Sequence, residues 1–274
     1  MKRPTLRLND GFEHTSPDLR DDVRELQRFL NQEGFGLGLD GLFGRETEMA
    51  VKRFQRDHGL DDDGIVGEMT WSLLAGTPLP DPETVMDTSY PSDYPQLMAQ
   101  LEDARKYRSF IEEGATVCGV RPAIICGLGS RESGWGMLLK PKGPAGTGDA
   151  TPRSNTKPYR IGPLPPDGAG FGRGLLQIDY DAHEFARTGN WQDPRENILY
   201  GCGVLKNSIM LIKRRKGLEG IKLIRAALAG YNCGPSNVIT ALDQGRSPDF
   251  FTAHRDYSKD VLNRAGWFHV HGWD

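Results

Sequence analysis

"AIICGLGSRESGWG", Ala123 to Gly136, decides how the larger part of this 274-residue chain is read. Ile124, Leu128 and Glu132 are spaced by four, so on a helix they share one face. That face is apolar and should pack inward, taking a carboxylate with it. A carboxylate in such a place is costly unless it is paired or protonated. Either a hidden partner neutralises Glu132, or a raised pKa is its purpose. Arg131 is a poor partner, because adjacent residues on a helix do not face each other.

Downstream, Met137 to Gly174 is rich in glycine and holds Pro141, Pro144, Pro152, Pro158, Pro163, Pro165 and Pro166. A connection this long is usually functional, and it starts beside Glu132, so a cleft wall or lid is expected. Apolar periodicity predicts helices near Gln96–Gly114, Pro122–Ser133, Arg195–Arg215, Gly220–Tyr231 and Tyr257–Ala265. Upstream, Pro78, Pro80, Pro82, Pro91 and Pro95 interrupt any helix and mark an acidic, semi-stiff linker. The expected organisation is a small unit at 1–76, a linker at 77–94 and a larger, mainly α unit at 95–274.

The first unit contains a repeat. "DGLFGRET" begins at Asp40 and "DGIVGEMT" at Asp63, with Thr47 and Thr70 at the same offset. Each Asp-Gly signals a turn, and each is followed by a helical pattern. Ser16-Pro17 reads as an N-cap and first-turn pair before a helix whose face carries Leu19, Val23, Leu26 and Leu30. Three short helices tied by such turns suit binding better than chemistry.

Residues 18–75, with L-Q-x-x-L, D-G-x-F-G-x-x-T, A-V-x-x-F-Q and the second D-G-x-x-G, resemble the three-helix peptidoglycan-binding module of cell-wall enzymes. The resemblance implies binding of the wall polymer. Asp40, Gly41, Phe43, Thr47, Asp63 and Gly64 are its motif positions, read either as turn-formers or as wall contacts.

In the second unit, four stretches stand in a fixed order: "SRES" around Glu132, "GRGLLQID" (172–179), "AALAGYNCGP" (226–235) and "HRDYSKDV" (254–261). Together they resemble the goose-type lysozymes and the related soluble lytic transglycosylases over about residues 95–268. The resemblance implies a lysozyme-like α-rich domain, with a long loop or small hairpin beside the cleft and Glu132 as general acid. A glutamate still protonated near neutral pH can deliver a proton to the leaving glycosidic oxygen, and burial against Ile124, Leu128 and Trp135 would keep it so. An inverting hydrolase also needs a carboxylate to activate water. Asp179 matches the family's aspartate after the G-L-M-Q-V segment. Asp167 is one place out of register with an earlier one, and Asp149 and Asp181 match less well. Gln177, His183, Tyr231, Asn232, Tyr257 and Trp135 are the expected sugar-binding residues. Asp179 also reads as a helix cap or turn residue, and His183 and Tyr257 as satisfied structural residues.

The remaining signals narrow the class. Net charge is −3, distributed as −5 over residues 1–76, −4 over 77–94 and +6 over 95–274; the positive part suits a polyanion such as a cell-wall polymer, a lipopolysaccharide or a nucleic acid, or is ordinary surface scatter. Apolar residues make up 37% and mean hydropathy is −0.53, a globular profile. The basic run "KRRKG" at Lys213 fits a helix C-terminus, so no nucleic acid is expected. No apolar run approaches the length of a membrane span, and nothing after Met1 reads as a signal peptide. Cys118, Cys126, Cys202 and Cys233 form no CxxC and read as free buried thiols, with pairing left open by their even number. His269 and His271 stand two apart without further ligands, so neither a metal nor a cofactor is expected. The whole reads as a monomeric endolysin, made in a bacterial host's cytoplasm and acting on peptidoglycan after the membrane is opened. Its lysozyme domain would cleave the MurNAc-(β1,4)-GlcNAc bond. The rivals are a lytic transglycosylase, a non-catalytic wall-binding or virion protein, and a zinc amidase or peptidase.

Overall fold

The chain divides into two units, Met1–Ser89 and Tyr90–Asp274. The computed structural model describes residues 3–58, 60, 62–76, 86–153 and 164–274. Residues 77–85 of the expected linker and 154–163 of the expected cleft loop lie outside the described residues. Tyr90 and Pro91, read as linker, belong to the second unit: the Tyr90 hydroxyl donates to Asp260 (2.9 Å), and the Trp267 indole donates to the Pro91 carbonyl (2.8 Å).

The first unit holds α1 (Arg20–Gln32), α2 (Arg45–Asp57) and α3 (Glu68–Leu74). Val23, Leu26 and Leu30 of α1 meet Val51 and Phe54 of α2, Trp71 of α3, and Leu6, Phe43 and Val66 in one core. Ser16 does not cap α1. Its hydroxyl donates to Asp10 (2.7 Å), and Pro17–Leu19 form a 3-10 turn that runs into the helix.

The repeat has a structural cause. Gln27 of α1 and Gln55 of α2 are both buried, and each reads the next Asp-Gly turn in the same way. The Gln27 amide donates to Asp40 (2.7 Å) and accepts from the Gly41 N–H (3.0 Å). The Gln55 amide donates to Asp63 (3.1 Å) and the Ile65 carbonyl (2.7 Å), and accepts from the Gly64 N–H (2.9 Å). Gly41 takes φ +75°, and a Cβ there would come within 2.6 Å of the Arg20 carbonyl oxygen. The turn therefore demands glycine for both conformation and space.

In the second unit α4 (Pro95–Lys106) and α5 (Arg108–Cys118) replace the single helix expected over 96–114, with the break at Tyr107. Next comes α6 (Pro122–Ser133), as the sequence predicts, but every residue from Ala123 to Ser130 is buried. It is therefore a central helix enclosed on all sides, rather than one with a single inward stripe. Three two-residue strands follow, β1 (Thr147–Gly148), β2 (Gly172–Arg173) and β3 (Ile178–Asp179), antiparallel in the order β1-β2-β3. Gly172 pairs with Gly148 on one side and with Asp179 on the other. They form a small sheet in and just after the expected cleft loop. The rest is helical: α7 (Phe185–Thr188), α8 (Pro194–Lys216), α9 (Gly220–Cys233), α10 (Pro235–Asp243) and α11 (Tyr257–Val270). The sequence reading passed over α7 and α10.

The packing of α11 along α6 depends on Gly127, where a Cβ would lie 2.4 Å from the Val261 carbonyl oxygen and 2.8 Å from the Ala265 nitrogen. All four cysteines are free thiols. Among the described residues no helix is long and apolar enough to cross a membrane.

Candidate active site

Glu132 occupies the last turn of α6. The helix stops there because Gly134 turns left-handed (φ 57°) and the Gly134 and Trp135 N–H groups fold back onto the Ser130 and Gly129 carbonyls. Arg131 points to α11 instead, pairing with Asp260 (2.6 Å) and Asp256 (3.2 Å). It does not pair with Glu132, as the spacing predicts. The Glu132 partner is Tyr257, first residue of α11, whose hydroxyl donates to Oε1. Glu132 is half-buried, with an opening to solvent, while densely packed protein surrounds its carboxyl. That burial raises its pKa to about 7. The Tyr257 hydrogen bond and the charge of Arg131 both pull the other way and are outweighed. Burial, and then the nearby Glu132 charge, also push the Tyr231 and Tyr257 phenols well up, so both remain hydrogen-bond donors.

The turn between β2 and β3 is held from three helices. The Ser133 hydroxyl of α6 donates to the Leu175 carbonyl (2.6 Å), and Tyr231 of α9 donates to the Leu176 carbonyl (2.7 Å). Asn197 of α8, fully buried, accepts from the Leu176 N–H (2.8 Å) and donates to the Arg173 carbonyl (3.0 Å). Gln177 follows in a left-handed conformation (φ 49°), and its amide donates to the Gly174 carbonyl (2.8 Å). Helix α6 thus carries Glu132 and, with α8 and α9, holds the turn that leads into the strand of Asp179.

Asp179 is half-buried. Its Oδ1 accepts the Asp181 and Ala182 N–H groups (2.9 Å each), and its Oδ2 accepts from Arg153 (2.6 Å). Arg153 also pairs with Asp149 (3.1 Å) and Asp181 (2.9 Å) and lies over the Phe171 ring (3.9 Å). Asp167 is exposed and grips the buried Arg173 with both oxygens (2.7 and 3.0 Å), which lowers its pKa.

The other expected sugar residues divide. Tyr231 and Tyr257 converge on Glu132 and the β2–β3 turn. Asn232 is exposed, and its side-chain oxygen accepts the Ala253 N–H (3.0 Å). His183 is half-buried, with its Nδ1 3.2 Å from the Tyr200 hydroxyl. Trp135 departs from the expectation. Its ring is 1% exposed beneath α6, stacked on Tyr107, and its indole donates to the Cys126 carbonyl (3.1 Å), so it offers no face to a sugar. In the first unit Phe43 and Thr47 are buried as well, and Asp40, Gly41, Asp63 and Gly64 build turns.

Sequence reasoning missed Ser133, Arg153, Asn197 and Asp260. Asn197 was detectable, since it stands with Gly201 and Leu205 at helical spacing on a buried face. Arg153 gave no signal within a Gly/Pro-rich stretch.

A helical domain built on one enclosed helix, ending in a protonatable glutamate beside a small antiparallel sheet, has the architecture of the lysozyme-like class. Residues 166–272 match the family described as "Lysozyme g", and residues 20–74 the one described as "Putative peptidoglycan binding domain". Lysozyme g of Casuarius casuarius is 30% identical over 175 residues, 63% of this chain and 78% of that one. Lysozyme g of Takifugu rubripes is 31% identical over 174 residues, 62% and 79% of the two chains. N-acetylmuramoyl-L-alanine amidase CwlM of Mycobacterium tuberculosis is 45% identical over 60 residues, 22% of this chain and 15% of that one. The crystal structure of Burkholderia AP3 phage endolysin covers 99% of this chain and 100% of that one at 19% identity, with a TM-score of 0.28, too loose a superposition to carry an argument. The chain belongs to the goose-type lysozyme family, the glycoside hydrolases of the lysozyme g type, with a peptidoglycan-binding module ahead of the catalytic unit.

Proposed function

We propose that this chain binds bacterial peptidoglycan through its first unit and cleaves the MurNAc-(β1,4)-GlcNAc bond with its second. The observation that carries the reading is Glu132, a carboxyl with a pKa of about 7 at a helix end, open to solvent and oriented by Tyr257. Protonated, it gives its proton to the glycosidic oxygen as the C1–O bond breaks. Asp179 positions and deprotonates the water that bonds to C1, leaving a reducing MurNAc end. The Asp179 carboxylate accepts from two backbone N–H groups and from Arg153, which fixes its orientation beside the β2–β3 turn. Asp167, spent on Arg173, supports the loop. On this reading the chain is a monomeric endolysin, made in a bacterial cytoplasm and reaching the wall once the membrane is opened.

One observation favours a second reading, a lytic transglycosylase. An aspartate held by an arginine is a weak base, and without a base the MurNAc 6-hydroxyl closes onto C1 instead of water. Mass spectrometry of the digest separates the two, since the 1,6-anhydro product is lighter by one water. Hydrolysis predicts reducing ends and, for Asp179→Asn, a fall on the order of 10²–10⁴-fold. Anhydro products with a fully active Asp179→Asn variant would establish the second reading. Glu132→Gln should abolish cleavage under both, and lysis at the parental rate would remove the assignment altogether.

A further inference from the structure

Between α10 and α11 the chain holds two arginines on one aromatic ring. The Arg246 guanidinium lies 4.1 Å from the Phe250 ring centroid and that of Arg255 lies 4.8 Å from it. Phe250 is half-buried and both arginines are exposed. Among the described residues neither cation has a carboxylate within ion-pair distance. Asp256, next in sequence, is taken by Arg131 (3.2 Å). Asp249 is buried, accepts from the Ser258 N–H (2.8 Å) and hydroxyl (2.5 Å), and lies 3.9 Å from Arg225. His254 and Arg255 both take left-handed backbone conformations (φ 58° and 59°), which residues with side chains rarely adopt. The segment is tied to the site at two points. The Ala253 N–H donates to Asn232 (3.0 Å), and Tyr257, the partner of Glu132, follows Arg255 by two residues. The Arg255 and Tyr257 Cα atoms are thus no more than about 7.6 Å apart.

A guanidinium laid on a ring keeps its N–H edge free, and that edge matches a carboxylate in two-pronged geometry. Two such edges, with the nearby acids already engaged, make an anion subsite at the margin of the glycan-cleaving site. The wall polymer supplies the anion, because its muramic sugars carry peptides with free carboxylates. We propose that Arg246 and Arg255, held on Phe250, bind the peptide carboxylates of the substrate strand. The proposal rests on the reading that Glu132 cleaves that strand.

The experiment uses the full chain and two substrates of equal length: glycan oligomers with free stem-peptide carboxylates, and the same oligomers with those carboxylates amidated. Arg246→Gln/Arg255→Gln should raise KM on the free carboxylates roughly three- to tenfold, the range for two solvent-exposed charged pairs. It should leave kcat, and all kinetics on the amidated oligomers, unchanged. Amidation should weaken the parent by the same factor and leave the double variant unaffected, as coupling between the two requires. Parental cleavage of the amidated oligomers by the double variant reports an intact fold. Equal losses on both substrates, or no loss on either, would overturn the subsite. Binding measured by calorimetry in the Glu132→Gln background separates the two readings. A carboxylate-dependent difference there keeps the subsite even if the parent cuts nothing, and the absence of any difference removes it.

Discussion

At the scale of single residues the proposed chemistry turns on the balance of forces at Glu132. Burial raises its pKa from 4.5 to about 7 against the opposing Tyr257 hydrogen bond and Arg131 charge. The folded protein therefore keeps a proton that the unfolded chain has lost between about pH 4.5 and 7. Stability falls as pH rises through that window and levels off above it. Glu132→Gln should stabilise the catalytic unit at pH 8 by about 3 kcal/mol at most and by little at pH 4. Denaturant unfolding of both proteins at the two pH values measures this, and equal effects at both would mean that the carboxyl is not held protonated. With Glu132 as the proposed general acid, catalysis follows the same titration, so activity should decline as pH rises through about 7. Tyr257→Phe removes a hydrogen bond that favours the charged form, so the alkaline limb of its profile should move to higher pH. A downward move would mean that the tyrosine does not stabilise the charged acid.

At the scale of elements, the site exists because α6 and α11 approach closely enough for Tyr257 to reach Glu132. Gly127→Ala tests that approach. The added Cβ meets backbone of α11 at 2.4 and 2.8 Å, so the helices must separate. A loss of about 1–3 kcal/mol is expected, as for overpacked cores, with lowered activity. Wild-type stability in chemical denaturation would show that the contact is soft. The same elements explain what could be read in advance. Pro122 at the start and Gly134 at the end punctuate α6, so its bounds were legible. The break at Tyr107 was not, because apolar spacing continues across it. Two-residue strands are too short for a period of two to register, and α10 starts at a Gly-Pro that reads as a stop. Glu132 was legible as a carboxylate out of place on an apolar face. Trp135 was misplaced because its left-handed φ of 55° returns the ring under its own helix, which no pattern encodes.

At the scale of the whole molecule the two units divide binding from chemistry, and where the chain is cut decides whether each survives alone. Linking two sites raises the effective concentration of the second, so residues 90–274 should cleave short soluble oligomers at the parental kcat but retain intact walls less well. Residues 1–89 should sediment with peptidoglycan and cut nothing, and their recovery in the supernatant would refute the binding role. A catalytic unit begun at residue 95, where the prolines place the boundary, should be the poorer of the two. It lacks the Tyr90 hydroxyl on Asp260 and the Pro91 carbonyl on Trp267. The second loss leaves a buried indole N–H without its acceptor, at about 1–3 kcal/mol. The first loosens Asp260, which holds Arg131 next to Glu132. Comparing thermal midpoints and kcat of the two fragments measures the contribution of five residues, 90–94. Equal midpoints would show that these residues are linker after all.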